Sequence, residues 1–161
     1  MNRWLRHLFA PPAARRFPAD SLERIAAAIA EGERRHDGEV VFAVEAGLPP
    51  GELWRGCTPR ERAHEVFARL RVWDTRDSNG VLLYLLLADH AIEIVADRGL
   101  HDRVVAQEWE AVCEAVEAGL RAGAAEAAVI DGIHRISTLL AAHYPAGTEN
   151  RDELPDRPVL L

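Results

Sequence analysis

Lysine is missing from this 161-residue chain: all 19 basic residues are arginine, set against 26 acidic ones for a net charge of −7. Arginines never cluster beyond a pair after residue 16, so the basic face needed to neutralise nucleic-acid phosphates is lacking and no nucleic-acid partner is expected. A divalent cation or a cationic protein surface suits the balance better. Cysteine is nearly as scarce. Cys57 and Cys113 form no C-x-x-C, which excludes zinc ribbons and thioredoxin-like redox chemistry, and without a secretory signal no disulfide between them is expected. The longest apolar run, residues 81–88, is too short to cross a bilayer. Residues 1–18 lack the continuous apolar core of a signal peptide, so the expected location is cytoplasmic.

Nucleophiles are also few. Ser21, Ser78 and Ser137 are the only serines and none lies in G-x-S-x-G. A cysteine-phosphatase loop starting at Cys57 would need arginine where Ala63 stands. H-E-x-x-H, G-x-G-x-x-G and Walker sequences are absent, so neither catalytic zinc nor a nucleotide cofactor is expected.

What remains is the composition of one ordinary globular domain, 48% hydrophobic and 28% charged. We divide the chain into an arm (1–18), a domain (19–145) and a tail (146–161). Asp20 and Glu23 read as a capping box opening a first helix over 21 to 35, with Leu22, Ile25, Ala26 and Ile29 at helical spacing. Residues 39–46 are β-branched and aromatic with apolar residues on both faces, which predicts a strand covered on both sides. Thr58-Pro59-Arg60-Glu61 is the clearest helix start in the chain. The run from Val81 to Ala88 predicts the central strand, and Asp89-His90 predicts a tight turn into a returning strand, Ala91–Ala96. Two amphipathic helices follow, with Trp73 and Trp109 expected in the core and Trp54 as the aromatic free to face a partner.

The order α-β-α-β-β-α-α predicts a three-layer α/β/α sandwich around a small mixed sheet, a parallel β-α-β unit plus an antiparallel hairpin. Topology then states which loops meet. The starts of the first two strands and the end of the third share an edge that collects His36, Asp37, Glu39, Asp74, Arg76, Asp77, Asn79, Asp97, Arg98, His101 and Asp102. Carboxylates on converging loops supply the hard oxygens that calcium or magnesium takes, and arginines beside them can orient an anion. The opposite edge carries Glu45, Glu52, Trp54, Arg55 and the Asp89-His90 turn, where open α/β sheets more often bind ligands.

The segments Asp37-Gly38-Glu39-Val40-Val41, Val72-Trp73-Asp74-Thr75, Asn79-Gly80-Val81-Leu82-Leu83 and Val95-Ala96-Asp97-Arg98-Gly99-Leu100, with Trp109, resemble the TPM domain of YgcG-like bacterial and thylakoid-lumen proteins over about residues 20–143. The closing Glu153-Leu154-Pro155-Asp156-Arg157-Pro158 is similar to that of short stand-alone proteobacterial members. The resemblance implies the same three-layer fold. It also implies two competing functions, a phosphatase and a metal-binding or membrane-associated assembly module, and it points to Asp74, Asp77, Asn79, Asp97 and Arg98. His101 stands where the family often has glutamate.

The expectation is a TPM-like module that binds a divalent cation, a protein partner or both through its acidic loops. Asp74, Asp77 and Asp97 are the expected metal ligands, Arg76, Asn79, Arg98 and His101 the other ligand-binding residues, and no organic cofactor is expected. One alternative is a metal-dependent acid phosphatase in which Arg98 or Arg76 stabilises phosphoryl charge. The other is an assembly factor held peripherally at the inner membrane by residues 1–17, where Arg3 and Arg6 flank Trp4, Leu5, Leu8 and Phe9.

Overall fold

The computed structural model describes residues 2–148 and 152–161. Strands β1 (Glu39–Glu45) and β2 (Gly80–Leu86) run parallel at the centre, with Glu39 opposite Gly80 and Glu45 opposite Leu86. Both are buried along their whole length, which is why their sequences read as apolar runs without alternation. Strand β3 (Ala91–Ala96) returns antiparallel to β2. The connection is longer than the expected two-residue turn, because β2 stops at Leu86 and Leu87–Asp89 form a 3-10 turn closed by His90 at a left-handed φ of 52°. A fourth strand, β4 (Val159–Leu160), comes from the tail and lies parallel to the other side of β1, giving the order β3-β2-β1-β4.

Helices cover both faces. On one, α3 (Ala19–Glu33), α6 (Ala106–Arg121) and α7 (Ala125–His143) pack Ile25, Ile29, Val116, Val129 and Ile133 against Val40, Phe42, Leu83 and Leu85. On the other, α5 (Pro59–Arg69) sets Ala63 and Val66 against Val41, Ala43, Leu82 and Tyr84. The result is the three-layer α/β/α arrangement, and each fully buried aliphatic side chain contributes roughly 1.5–3 kcal/mol over leaving it exposed. Three short helices complete the fold: α1 (Arg3–Leu8), α2 (Ala13–Arg16) and α4 (Pro50–Trp54). The arm is therefore folded, and Phe17 at its end is wholly buried with its ring 5.6 Å from that of Phe42.

Local chemistry sets the element ends. The Thr58 hydroxyl accepts from the Glu61 amide at 3.2 Å and Glu61 Oε2 accepts from the Thr58 amide at 2.8 Å, so the capping box of α5 forms as read. Helix α3 departs from its reading. It begins at Ala19 behind Pro18, whose fixed φ and missing N–H suit the position before a first turn, so Asp20 lies inside the helix and accepts from Arg24 at 3.0 Å. Trp73 is not a core residue: it is 48% exposed. Arg71 adopts a left-handed φ of 56° after α5, which sends Val72 into the core and leaves Trp73 outside with the Arg71 guanidinium 5.6 Å from its ring.

Candidate functional site

The register brings the starts of β1 and β2 and the end of β3 to one pole. Asn79 is buried there, its Nδ2 donating to Asp37 O at 3.0 Å and its amide to Thr75 Oγ1 at 3.1 Å. Its Oδ1 is buried without a partner among the described residues. Asp97 accepts from the Arg98 amide at 2.7 Å and so caps the 3-10 turn Arg98–Leu100. Arg98 Nε donates to Ser78 Oγ at 3.2 Å, and His101 Nε2 lies 3.1 Å from Ala96 O. Asp74 is exposed and pairs with Arg71 at 3.0 Å. The Arg76 amide donates to Glu153 at 3.1 Å, and Asp77 O packs against Gly99, where a Cβ would come within 2.5 Å of it. Asp74, Asp77 and Asp97 share the pole, but they are not among the described groups whose ligand atoms all lie within 4.8 Å of one another.

The carboxylates that do converge are Glu33, at the end of α3, and Asp152 and Asp156 of the tail, whose oxygens lie within 4.8 Å of one another. Glu33 Oε1 accepts from the Val40 amide at 3.0 Å. Glu39, almost fully buried, accepts from the Glu153 and Leu154 amides at 3.0 and 3.2 Å and so fixes the tail across the pole. Asp156 Oδ1 is shut off from solvent with no partner among the described residues. Burial pushes the Glu33 carboxyl up to about 9, with the Glu39 charge and then a hydrogen bond to Asp156 adding to it, and pushes Glu39 up to about 7. Asp152 is raised by burial and then by Asp156. His36 is buried at the same pole with Nδ1 2.9 Å from Gly38 O, and burial lowers it to about 4, so the ring stays neutral. The sequence reading missed Glu33, Asp152 and Asp156. The destination of the tail is not written in its composition, although a glutamate opening a strand as apolar as 39–45 was a signal that a partner waits there.

The opposite pole is held by charge. Arg62 forks onto Glu45 at 2.8 and 2.9 Å, and the Tyr84 hydroxyl donates to the same carboxylate at 2.7 Å, all three side chains being buried. Burial first and the hydrogen bond to Glu45 second push Tyr84 far above its ordinary range. Glu52, Cys57 and Glu65 also approach within 4.8 Å, but Arg55 bonds to Glu52 and Arg62 lies 3.1 Å from Glu65, so guanidinium groups already serve this cluster. Burial raises the Cys57 thiol and pushes Cys113 up to about 11, which leaves neither poised as a thiolate.

The sequence profile of the TPM domain matches residues 13–139. Proteins of curated function give no match. Among solved structures, the chain is similar to the NMR structure of the BA42 protein from the psychrophilic bacterium Bizionia argentinensis, with a TM-score of 0.77 and 26% identity over 89% of this chain and 94% of that one. Glu33 and Glu39 lie inside the matched segment, whereas Asp152 and Asp156 lie beyond it.

Proposed function

The chain belongs to the TPM-domain family, and from that premise we propose that its acidic pole binds a divalent cation of the calcium or magnesium class, held by Glu33, Asp152 and Asp156. One observation carries the reading: Glu33, Asp152 and Asp156 bring carboxylate oxygens within 4.8 Å of one another, and burial holds the protons of Glu33 and Asp152 above their ordinary range. Hard oxygens at this spacing are the ligand type that calcium and magnesium take, and a cation there would replace the proton through which Glu33 bonds to Asp156. The bound ion supplies a fixed positive charge. Glu33 gives the site a rigid ligand from the end of a helix, and the two tail residues close over it. Asp74, Asp77 and Asp97, with Arg76, Asn79, Arg98 and His101, form the surrounding rim that an ion or a protein partner meets first.

Because the ligands must lose their protons, affinity should rise with pH and binding should release protons. The test is calorimetric titration of chelator-stripped protein with calcium and with magnesium at about pH 6 and about pH 8, in two buffers of different ionisation enthalpy. Saturable binding at the higher pH, lost in Asp156→Asn and in Glu33→Gln but kept in Asp97→Asn, is the expected result. Absence of binding at both pH values would end the reading, and loss in Asp97→Asn alone would move the ligands to the rim. Contact of residues 1–17 with a membrane surface is a separate reading, carried by the other pole.

A further inference from the structure

Helix α1 is turned inside out. His7 is buried, with Nδ1 accepting from the Leu48 amide at 2.8 Å, which assigns the proton to Nε2 and makes it the donor to Asp89 Oδ1 at 2.9 Å. Arg3 Nη2 reaches Asp89 Oδ2 at 2.9 Å and Cys57 O at 2.8 Å, and Arg6 Nη2 reaches Asp89 Oδ1 at 3.2 Å. The polar side of the helix thus faces the protein. Its apolar side faces out: Leu8 is 66% exposed and Phe9 72%, Trp4 and Leu5 are nearly half exposed, and Trp54 at the end of α4 is 83% exposed. The Trp4 and Trp54 rings meet edge to face with centroids 6.3 Å apart, so the two helices present one surface. A helix on an ordinary water-facing surface shows the reverse orientation. Three cationic or hydrogen-bonding partners around one carboxylate fix α1 in this pose, so rolling the apolar side inward would break all of them.

We propose that Trp4, Leu5, Leu8, Phe9 and Trp54 dock the protein on the interfacial zone of an anionic lipid bilayer. The inference is independent of the cation reading, since Asp89 follows β2 at the opposite end of the sheet from Glu39. Lipid fits this surface better than a second copy of the chain. Its five side chains present roughly 600 Å² of apolar area, at the upper limit for an ordinary monomer, and a second copy would set the same arginine-bearing, acid-free arm against itself. Side chains this exposed stand proud of the surface instead of lining a groove, and tryptophan, with an apolar ring and one N–H, is suited to the headgroup level. Charge agrees. The chain has a net charge of −7, but its first carboxylate is Asp20, and residues 1–19 hold Arg3, Arg6, Arg15 and Arg16 with no acid. Arg15 and Arg16 are exposed on α2. Arg3 and Arg6 are engaged by Asp89, so apolar insertion supplies most of the affinity, and the acid-free, arginine-bearing stretch 1–19 gives the preference for anionic lipid.

Flotation of the full chain with phosphatidylcholine vesicles, with and without phosphatidylglycerol, tests this. Chelator is kept present so that no cation bridges the acidic pole to lipid. The wild type and Trp73→Ser, a partly exposed tryptophan outside the patch, should float with the anionic vesicles, and Leu8→Ser/Phe9→Ser should bind at least about tenfold more weakly while keeping the wild-type circular dichroism spectrum. Brominated lipid should quench fluorescence in the wild type and much less in Trp4→Phe/Trp54→Phe. Wild type that stays in the aqueous fraction, or a serine variant that floats equally well, overturns the proposal. So does a lipid-free dimer dissolved by the serine pair, which would assign the face to a second copy. Equal flotation with phosphatidylcholine alone overturns the charge argument.

Discussion

Glu39→Gln is the most direct probe of the acidic pole. Glu39 opens a strand buried throughout, and its carboxylate oxygens accept from the Glu153 and Leu154 amides. Burial holds its proton up to about pH 7, against an ordinary value of 4.5. At about 1.36 kcal/mol per pH unit, that gap is worth about 3 kcal/mol. Between 4.5 and about 7 the native state keeps a proton that the unfolded chain has released, so stability falls as pH rises through that window and the loss levels off above it. Below 4.5 both states hold the proton and this group contributes no pH dependence. Glutamine has nearly the shape of the protonated acid and cannot ionise. Its amide nitrogen cannot accept from the backbone amide that one Glu39 oxygen serves, which costs about 1–3 kcal/mol at every pH, so the quantity expected is a shift of about 3 kcal/mol in the variant's favour between about pH 5 and about pH 8. Glu33, whose proton is held to about pH 9, continues the decline in both proteins, so the difference between them is the quantity to read. Urea midpoints and slopes followed by tryptophan fluorescence in chelator provide it. Two stability curves that run parallel from acid to alkali would refute the account of Glu39 as a carboxyl held protonated by burial.

Other perturbations separate the remaining forces. Glu45→Ala leaves Arg62 and Tyr84 buried without their shared acceptor and should cost about 3–5 kcal/mol in urea unfolding, against about 1–2 kcal/mol for Tyr84→Phe. Gly80→Ala sets a Cβ 2.0 Å from Val72 O at the start of β2, so its melting temperature should drop by many degrees, while Gly51→Ala, with open space around it, should leave melting unchanged or raise it. Thr58→Ala removes the hydroxyl half of a formed capping box and should lower stability by about 1 kcal/mol by the same urea assay. Asp89→Ala strips Arg3, Arg6 and His7 of their acceptor, and hydrogen exchange should show the α1 amides losing protection while those of β1 and β2 keep theirs.

The parts of the fold that were legible in the sequence are those decided by local chemistry or by burial on two sides. The runs at 39–45 and 80–86 could be read as central strands because both faces are covered, and Thr58-Pro59-Arg60-Glu61 carries its own hydrogen bonds. The parallel–antiparallel arrangement followed from connection lengths, and with it the pole at which acidic loops would meet. Its ligands did not follow. An aspartate in a loop has two uses, and Asp97 serves its own backbone as a cap, which residue type cannot distinguish from a free carboxylate. Strand β4 has only two residues, and its pairing exists because β1 offers an open edge, a fact about the partner and not about the tail. Trp73 was misplaced for a related reason. The left-handed turn at Arg71, a residue type that seldom adopts it, reverses which neighbour enters the core.

The tail joins the acidic pole to the sheet. It crosses the acidic pole with Asp152 and Asp156, is caught there by Glu39, and runs along β1 to pair Val159 and Leu160 with Ala43 and Val44, the position just before Glu45. Its hold on the sheet is thus two strand residues plus the packing of Leu154, Val159 and Leu161 against the α5 side of the core. Against that hold stands the mutual repulsion of the carboxylates at this pole, which grows as Glu33, Glu39 and Asp152 lose their protons. Among the elements of the sheet, the tail has the fewest ladder pairs and lies nearest the titrating carboxylates, so alkali should loosen it before the central strands feel any change. A cation at the proposed site cancels that repulsion at the point where the tail is held. Ion binding at the proposed site would then steady residues 152–161 upon an already folded domain, without the core having to move.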